Sequence, residues 1–221
     1  MPHASSAAFG GRPAERRRPL ARLSPRAVSW VKAIAFVLAL VPLGRLVAGV
    51  FLRTLGTNPV EAIIRSLGTW TLVFLCATLA VTPLRKITGW NWLLRLRRML
   101  GLYAFFYAVM HFTSYVWLDQ DLDFGAILHD IPKRPFITIG FTCLVLLIPL
   151  AATSTDAMVR RLGSKRWTAL HRLVYVVAVG GVVHFWWLVK RDVTEPAIYA
   201  AVVAALLGYR IFSAWRTRQA G

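Results

Sequence analysis

LYAFFYAVMHFTSYVWL, from Leu102 to Leu118, contains no Asp, Glu, Lys or Arg, yet it holds one imidazole, His111. At 1.5 Å of rise per residue, a helix of this length covers about 25 Å, close to the thickness of a bilayer's hydrocarbon core. Apolar residues do not alternate with a period of two, so a strand is not expected. The stretch reads as a membrane-crossing helix with a histidine in its apolar part.

Outward from that helix, the chain repeats the pattern. Of its 221 residues 57% are hydrophobic and only 16% charged, against roughly 45–50% and about 25% in soluble domains. Six apolar runs are long enough to span: Val28–Leu52, Ser66–Leu84, Met99–Leu118, Phe136–Ala152, Thr168–Val189 and Pro196–Trp215. The expected fold is all-α, a polytopic membrane bundle of six transmembrane helices. Residues 1–27 are basic and rich in Pro, Ala and Ser, and read as a flexible tail. Residues 28–215 form the membrane domain, and residues 216–221 form a short C-terminal tail. The arginines at Arg16–Arg18 precede a run as long as a full span, so the first helix is expected to stay uncleaved. No internal repeat is evident.

The formal net charge of +18 is explained by topology. With the N-terminus inside, eighteen cationic residues fall in the tail, in the two inner loops (Arg85 to Arg98 and Arg160 to Arg166) and at the C-terminal end; six fall outside. The excess of cations inside orients the chain with both termini in the cytoplasm. Membrane lipid is then the natural partner of the surface, and nucleic acid is not called for.

Chemistry-bearing residues are few. Cys76 and Cys143 each lie within a span and read as small buried hydrophobes. All nine Asp and Glu lie outside the apolar cores, which argues against a proton pump or transporter. No Ser-His-Asp set, HExxH helix or GxGxxG loop is present, so no catalytic residues are expected.

The histidines carry the site. His3 lies in the tail and His129 in an outer loop; both read as solvated. His111, His171 and His184 lie in or at the ends of spans, where an ionisable residue is costly and marks function by default. A single such histidine also reads as an interhelical hydrogen bond, but three together shift the balance. The third and fifth helices run in the same direction. His111 lies eight residues before Asp119 and His184 six before Lys190, so roughly 12 and 9 Å below the outer end. On the turn below them lie small residues: Ala108, with Ala104 further down, and Gly180 and Gly181. Two imidazoles at matched depth beside small residues, which leave space for a flat macrocycle, read as axial ligands of a b-type haem. His171 is thirteen residues, about 20 Å, from His184 and cannot share its plane. It is read as ligand to a second, inner haem, as a contact for a propionate, flavin or quinone, or as an interfacial histidine. Arg45, within the first helix, is a further candidate for a propionate contact.

LGTNPVEAIIRSLGTWTL, LAVTPLRKITG, LRRMLGLYAFFYAVMHF, IPKRPFITIGF, IPLAATSTD, RWTALHRLVY and HFWWLVK cover most of residues 55–190. In these stretches the chain resembles the ferric reductase-like transmembrane superfamily. It resembles most the haem-binding membrane subunits of bacterial periplasmic methionine sulfoxide reductase systems. The resemblance implies a six-helix haem b protein that also binds FMN. It implies transfer of electrons from the quinone pool or a cytosolic flavin reductase to a periplasmic molybdopterin-containing methionine sulfoxide reductase, which repairs oxidised proteins. On this reading the chain is an electron-transfer subunit and not the catalytic one. The family's histidines correspond to His111, His171 and His184. The wider superfamily stacks two haems on histidines thirteen or fourteen apart on both helices; here Arg97 stands fourteen before His111. One haem or two are therefore both open. Arg97, Arg98 and Arg172, with Trp167, are the expected contacts for propionate or FMN phosphate. A stand-alone transmembrane ferric or cupric reductase is the alternative that more distant relatives imply. A non-redox scaffold leaves the matched depth of His111 and His184 unexplained.

Overall fold

The computed structural model describes residues 23–189 and 192–219, and these form helices joined by short connections. The first 22 residues of the expected N-terminal tail, and residues 220–221, lie outside the described residues. The elements are α1 (Pro25–Phe51), α2 (Pro59–Thr88), α3 (Leu94–Ser114), α4 (Phe124–Lys133), α5 (Pro135–Ala152), α6 (Asp156–Leu162), α7 (Ser164–His171), α8 (Leu173–Leu188) and α9 (Thr194–Gln219). A 3₁₀ turn, Asn91–Leu93, leads into α3, and a π-helical turn, Tyr115–Asp119, continues it.

Among the described residues, six helical stretches are long and apolar enough to cross a membrane: Pro25–Phe51, Pro59–Thr88, Asn91–Asp119, Pro135–Ala152, Ser164–Leu188 and Thr194–Gln219. They coincide with the six runs read from the sequence, and the all-α bundle stands. The chain is a multi-pass membrane protein. The first two helices begin ahead of their apolar runs because capping extends them into polar residues. The Ser24 hydroxyl and the Asn58 side chain accept from the amides of Ala27 and Glu61, each 3.2 Å away, and Pro25 and Pro59 open their helices. Helix α2 stops at Gly89, whose φ of 76° is the left-handed conformation that a C-cap requires.

The core is made of two antiparallel pairs. Helix α2 packs along α3, and α5 along α8; α3 then meets α5, and α2 meets α8. Tyr107, Leu79, Ala104, Ala178 and Val177 are buried at the junction. Helices α1 and α9 flank this core and turn large apolar residues outward, among them Trp30, Val37, Ile211 and Phe212. In water such a face would be a liability; in a bilayer it is the surface lipid covers.

Two connections differ from a plain loop. The outer segment after the third span contains α4, with Ile127 buried and Phe124 and Leu128 exposed. Its N-cap is Asp123, which accepts from the Ala126 amide at 2.9 Å. The fifth span is broken at Arg172. There the Arg172 amide is shared between the carbonyls of Thr168 and Ala169, and Tyr175 bonds back to Arg172. The break follows from α7 being held elsewhere: the Trp167 indole donates to the Thr153 carbonyl at 2.9 Å.

Candidate functional site

One end of the bundle holds the starts of α2, α5 and α9 and the ends of α3 and α8. It carries Glu61, Asp119, Asp192 and Glu195, and is here termed the acidic end. The opposite, basic end carries Arg85, Arg97, Arg98 and Arg210. A cavity of about 1070 Å³ runs from the acidic end into the middle of the bundle, between the two helix pairs. Its floor is apolar, with Leu75, Leu147 and Val177. Its walls include Ala108, Gly181 and Phe141, and its mouth includes Arg65 and Arg134. That volume matches the upper range of small-molecule sites.

His111 and His184 face each other across this cavity. Their ring centroids are 6.1 Å apart, with the ring planes at 80°. Each imidazole is anchored on its own helix pair. Nδ1 of His111, on α3, lies 2.8 Å from the Ile64 carbonyl of α2. Nδ1 of His184, on α8, lies 2.7 Å from the Phe136 carbonyl of α5. A carbonyl only accepts, so each Nδ1 carries the proton and donates it. Nε2 of each neutral ring is left with a free lone pair and, among the described residues, no hydrogen-bond partner. A second hydrogen bond that fixes the tautomer is how proteins orient an imidazole toward a metal.

The separation tests what the pair can hold. Two metal–nitrogen bonds of about 2 Å each, with the ring radii added, span about 6 Å. The centroid distance of 6.1 Å therefore fits one metal ion between the rings. Among the described residues no group of three or more His, Cys, Asp or Glu could hold a metal by itself. Two imidazoles suit an iron whose other ligands belong to a macrocycle. The Tyr115 hydroxyl at the cavity wall is buried without a hydrogen-bond partner, an unmet polar group where a polar edge would lie. At the mouth, Arg65 pairs with Glu61 at 3.4 Å and Arg134 with Asp130 at 3.3 Å. The Asp192 carboxyl beside them is held below the usual carboxylate range by the Thr194 hydroxyl and amide.

The remaining sequence-read residues are distributed as follows. Ala108 and Gly181 line the cavity. Ala104 is fully buried in the α2–α3 core, and Gly180 faces Cys143 and Ile139 of α5 rather than the cavity. His171 stands at the basic end. Its ring stacks on Trp167 at 3.9 Å, and its Nε2 pairs with the Thr153 hydroxyl at 3.0 Å. Unlike the other two, its Nε2 is engaged. Arg98 pairs with Asp156, Arg97 is half-buried and Arg172 is exposed; none of the three lines the cavity around His111 and His184. Arg45 is exposed on α1, also away from it.

Two glycines that sequence reasoning missed lie against the rings. Gly68, on α2, sits under His111, and Gly140, on α5, sits under His184. Each glycine lies four residues after the carbonyl that holds the ring, a spacing visible in IIRSLG and FITIG once the acceptor carbonyls are known.

The chain is thus a six-span helical bundle with two facing histidines in one cavity. Residues 66–182 match the family described as ferric reductase like transmembrane component, and the chain belongs to that family. It is also similar to proteins named protein-methionine-sulfoxide reductase heme-binding subunit MsrQ. The relative from Herminiimonas arsenicoxydans is 54% identical over 197 residues, covering 88% of this chain and 90% of that one. The relative from Ralstonia nicotianae is 55% identical over 201 residues, covering 90% and 93%. The relative from Bordetella pertussis is 48% identical over 204 residues, covering 91% and 98%.

Proposed function

We propose that the chain is a haem b-carrying membrane subunit that delivers electrons to a methionine sulfoxide reductase on the acidic side of the membrane. The carrying observation is the His111–His184 pair, 6.1 Å apart, with both Nδ1 protons committed to backbone carbonyls. The names of the relatives supply the chemistry that this geometry accommodates.

In this reading His111 and His184 would hold the haem iron through their free Nε2 atoms, and the haem would supply one-electron transfer. The α2–α3 and α5–α8 pairs hold the rings at a fixed separation. The apolar floor excludes water from the pair. Arg65 and Arg134 at the mouth, each now paired with a carboxylate, and the Tyr115 hydroxyl are the polar groups that would hold the carboxylates of a bound tetrapyrrole. Ala108 and Gly181 leave the space between the helices. His171, with Arg97, Arg98 and Arg172, belongs to a separate inner region, where a flavin such as FMN or a second haem would be approached from the cytoplasm.

The excess of cations at the basic end supports a cytoplasmic location for that end and for both termini, in a bacterial inner membrane. Electrons are then received there, from the quinone pool or a cytosolic flavin reductase. They leave at the acidic end for a periplasmic molybdopterin-containing catalytic subunit. Residues 28–215 constitute the haem domain, flanked by cytoplasmic tails.

The test is a reduced-minus-oxidised absorption spectrum of the purified protein with haem quantified per chain, followed by reoxidation. A reduced b-type spectrum, discharged only when the catalytic partner and methionine sulfoxide are both added, supports the reading. Reoxidation that ignores them, with direct reduction of ferric chelates by vesicles, replaces it with a stand-alone metalloreductase.

A further inference from the structure

The two histidines are held in the same way on unrelated stretches of chain. In α2, Ile64 lends its carbonyl to His111, and one helical turn later stands Gly68. In α5, Phe136 lends its carbonyl to His184, and one turn later stands Gly140. In a helix the carbonyl of residue i receives the amide of residue i+4. Each acceptor therefore serves two donors, the glycine amide along the axis and the imidazole from the side, through its two lone pairs.

The side approach needs the glycine. A Cβ at Gly68 would lie 3.1 Å from Cε1 and 3.2 Å from Nδ1 of His111. A Cβ at Gly140 would lie 2.8 Å from both Cε1 and Nδ1 of His184. In both cases the same edge of the ring, the one that carries the donated proton, rests in the gap. The neighbour that would have to move is a rigid ring tied by its own hydrogen bond, not the free end of a long side chain. By contrast, a Cβ at Gly208 would meet nothing within 4 Å.

We propose that Gly68 and Gly140 are positioning residues: paired notches that seat the two imidazoles on backbone carbonyls and set their mutual angle. This rests on the reading of His111 and His184 as axial ligands. The notches act on ring orientation. Displacing a ring lengthens its bond to the carbonyl, frees the tautomer and turns the ring plane away from the 80° crossing. Because Gly140 is the tighter of the two, His184 is the more sensitive ring. Second partners of this kind change metal affinity by about 10–100-fold when disturbed.

The experiment uses the full chain purified with haem, as wild type, Gly68→Ala, Gly140→Ala, Gly208→Ala, His111→Ala and His184→Ala. Haem retention is measured by competition with apomyoglobin, and low-temperature electron paramagnetic resonance is recorded on the ferric form. Near-perpendicular imidazole planes produce a strongly anisotropic low-spin signal, which contracts as the planes turn toward parallel. Gly140→Ala is expected to contract that signal and to weaken haem retention roughly tenfold or more. Gly68→Ala does the same to a smaller extent, and Gly208→Ala matches wild type. Unchanged signal and retention in both Gly68→Ala and Gly140→Ala overturn the proposal; should Gly140→Ala not accumulate in the membrane, Gly68→Ala decides it. Full haem retention with wild-type spectra in His111→Ala and His184→Ala overturns the axial-ligand reading itself.

Discussion

The hydroxyl of Tyr107 sits inside the backbone ladder of α1, donating to the Ala39 carbonyl at 2.7 Å while accepting from the Leu43 amide at 3.3 Å. It opens the ladder one residue after Pro42, where the helix already lacks a donor. Tyr103 repeats the contact one turn away, donating to the Phe36 carbonyl at 2.9 Å. Helix α1 is otherwise a peripheral element, so these two hydroxyls are its polar ties to the core. Tyr107→Phe is expected to lower the stability of the detergent-solubilised protein by about 1 kcal/mol. It should also expose α1 to limited proteolysis before the other spans. A wild-type melting curve with wild-type proteolysis would show that the hydroxyl contributes nothing.

His111→Ala and His184→Ala each remove one of two facing rings, and each is expected to strip most of the haem from the purified chain. His171→Ala removes a ring already committed to Trp167 and Thr153, so the haem between His111 and His184 is expected to stay. Pyridine haemochrome assay against protein concentration reads the result. Equal loss from all three variants would mean that His171 supports the same haem.

Gly180 is pressed against sulfur. A Cβ there would lie 2.6 Å from Sγ of Cys143, too close for either helix to keep its place. Gly180→Ala is therefore expected to destabilise the α5–α8 pair by about 1–3 kcal/mol, the usual range for overpacking. Cys143→Ala in the same chain should restore most of that loss. A double-mutant cycle on thermal unfolding measures the coupling, and strict additivity of the two changes would refute it.

At the basic end, Asp156 opens α6 and pairs with Arg98 at the start of α3. The hydrogen bond from Arg98 and its charge hold the Asp156 carboxyl below the usual carboxylate range. A depressed folded-state pKa means that the contribution is complete above the unfolded carboxylate pKa. It is lost as pH falls through the lower, folded value. Both side chains are solvent-exposed, so the effect is small. Asp156→Asn should melt slightly earlier than wild type at neutral pH, and the two curves should converge in acid. A gap that stays constant down to low pH would assign the loss to something other than the ion pair.

The spans were legible because a bilayer leaves one solution for twenty apolar residues in a row, as Leu102–Leu118 illustrates. The shared depth of His111 and His184 was legible too, since a helix converts residue number into height at a constant rate. Rotation and partnership were not. Which face of α8 meets α5 depends on how the helices pack, so Gly180 read as room for a macrocycle and instead received a cysteine. Gly68 and Gly140 lie on helices without a histidine, and nothing local marks them until Ile64 and Phe136 are seen as acceptors. The break at Arg172 was hidden for a similar reason: its cause is Thr153, nineteen positions earlier at the C-cap of α5. Helix α4 was missed, since the segment around His129 read as an outer loop, although Phe124, Ile127 and Leu128 repeat there at helical spacing.

The histidine pair is not at mid-membrane. His111 stands eight residues from Asp119 and fourteen from Arg97, roughly 12 Å from one end and 21 Å from the other. On the proposed route, an electron arriving from the basic end would traverse nearly two-thirds of the low-dielectric layer before reaching the pair. A full crossing is worth about 2.3 kcal/mol per 100 mV of transmembrane voltage, so this partial one is worth about 1.5. With the basic end inside, as proposed, an interior-negative cell pushes that electron outward. Under that proposal, the off-centre seat would tie repair outside the cell to the electrical state of its membrane.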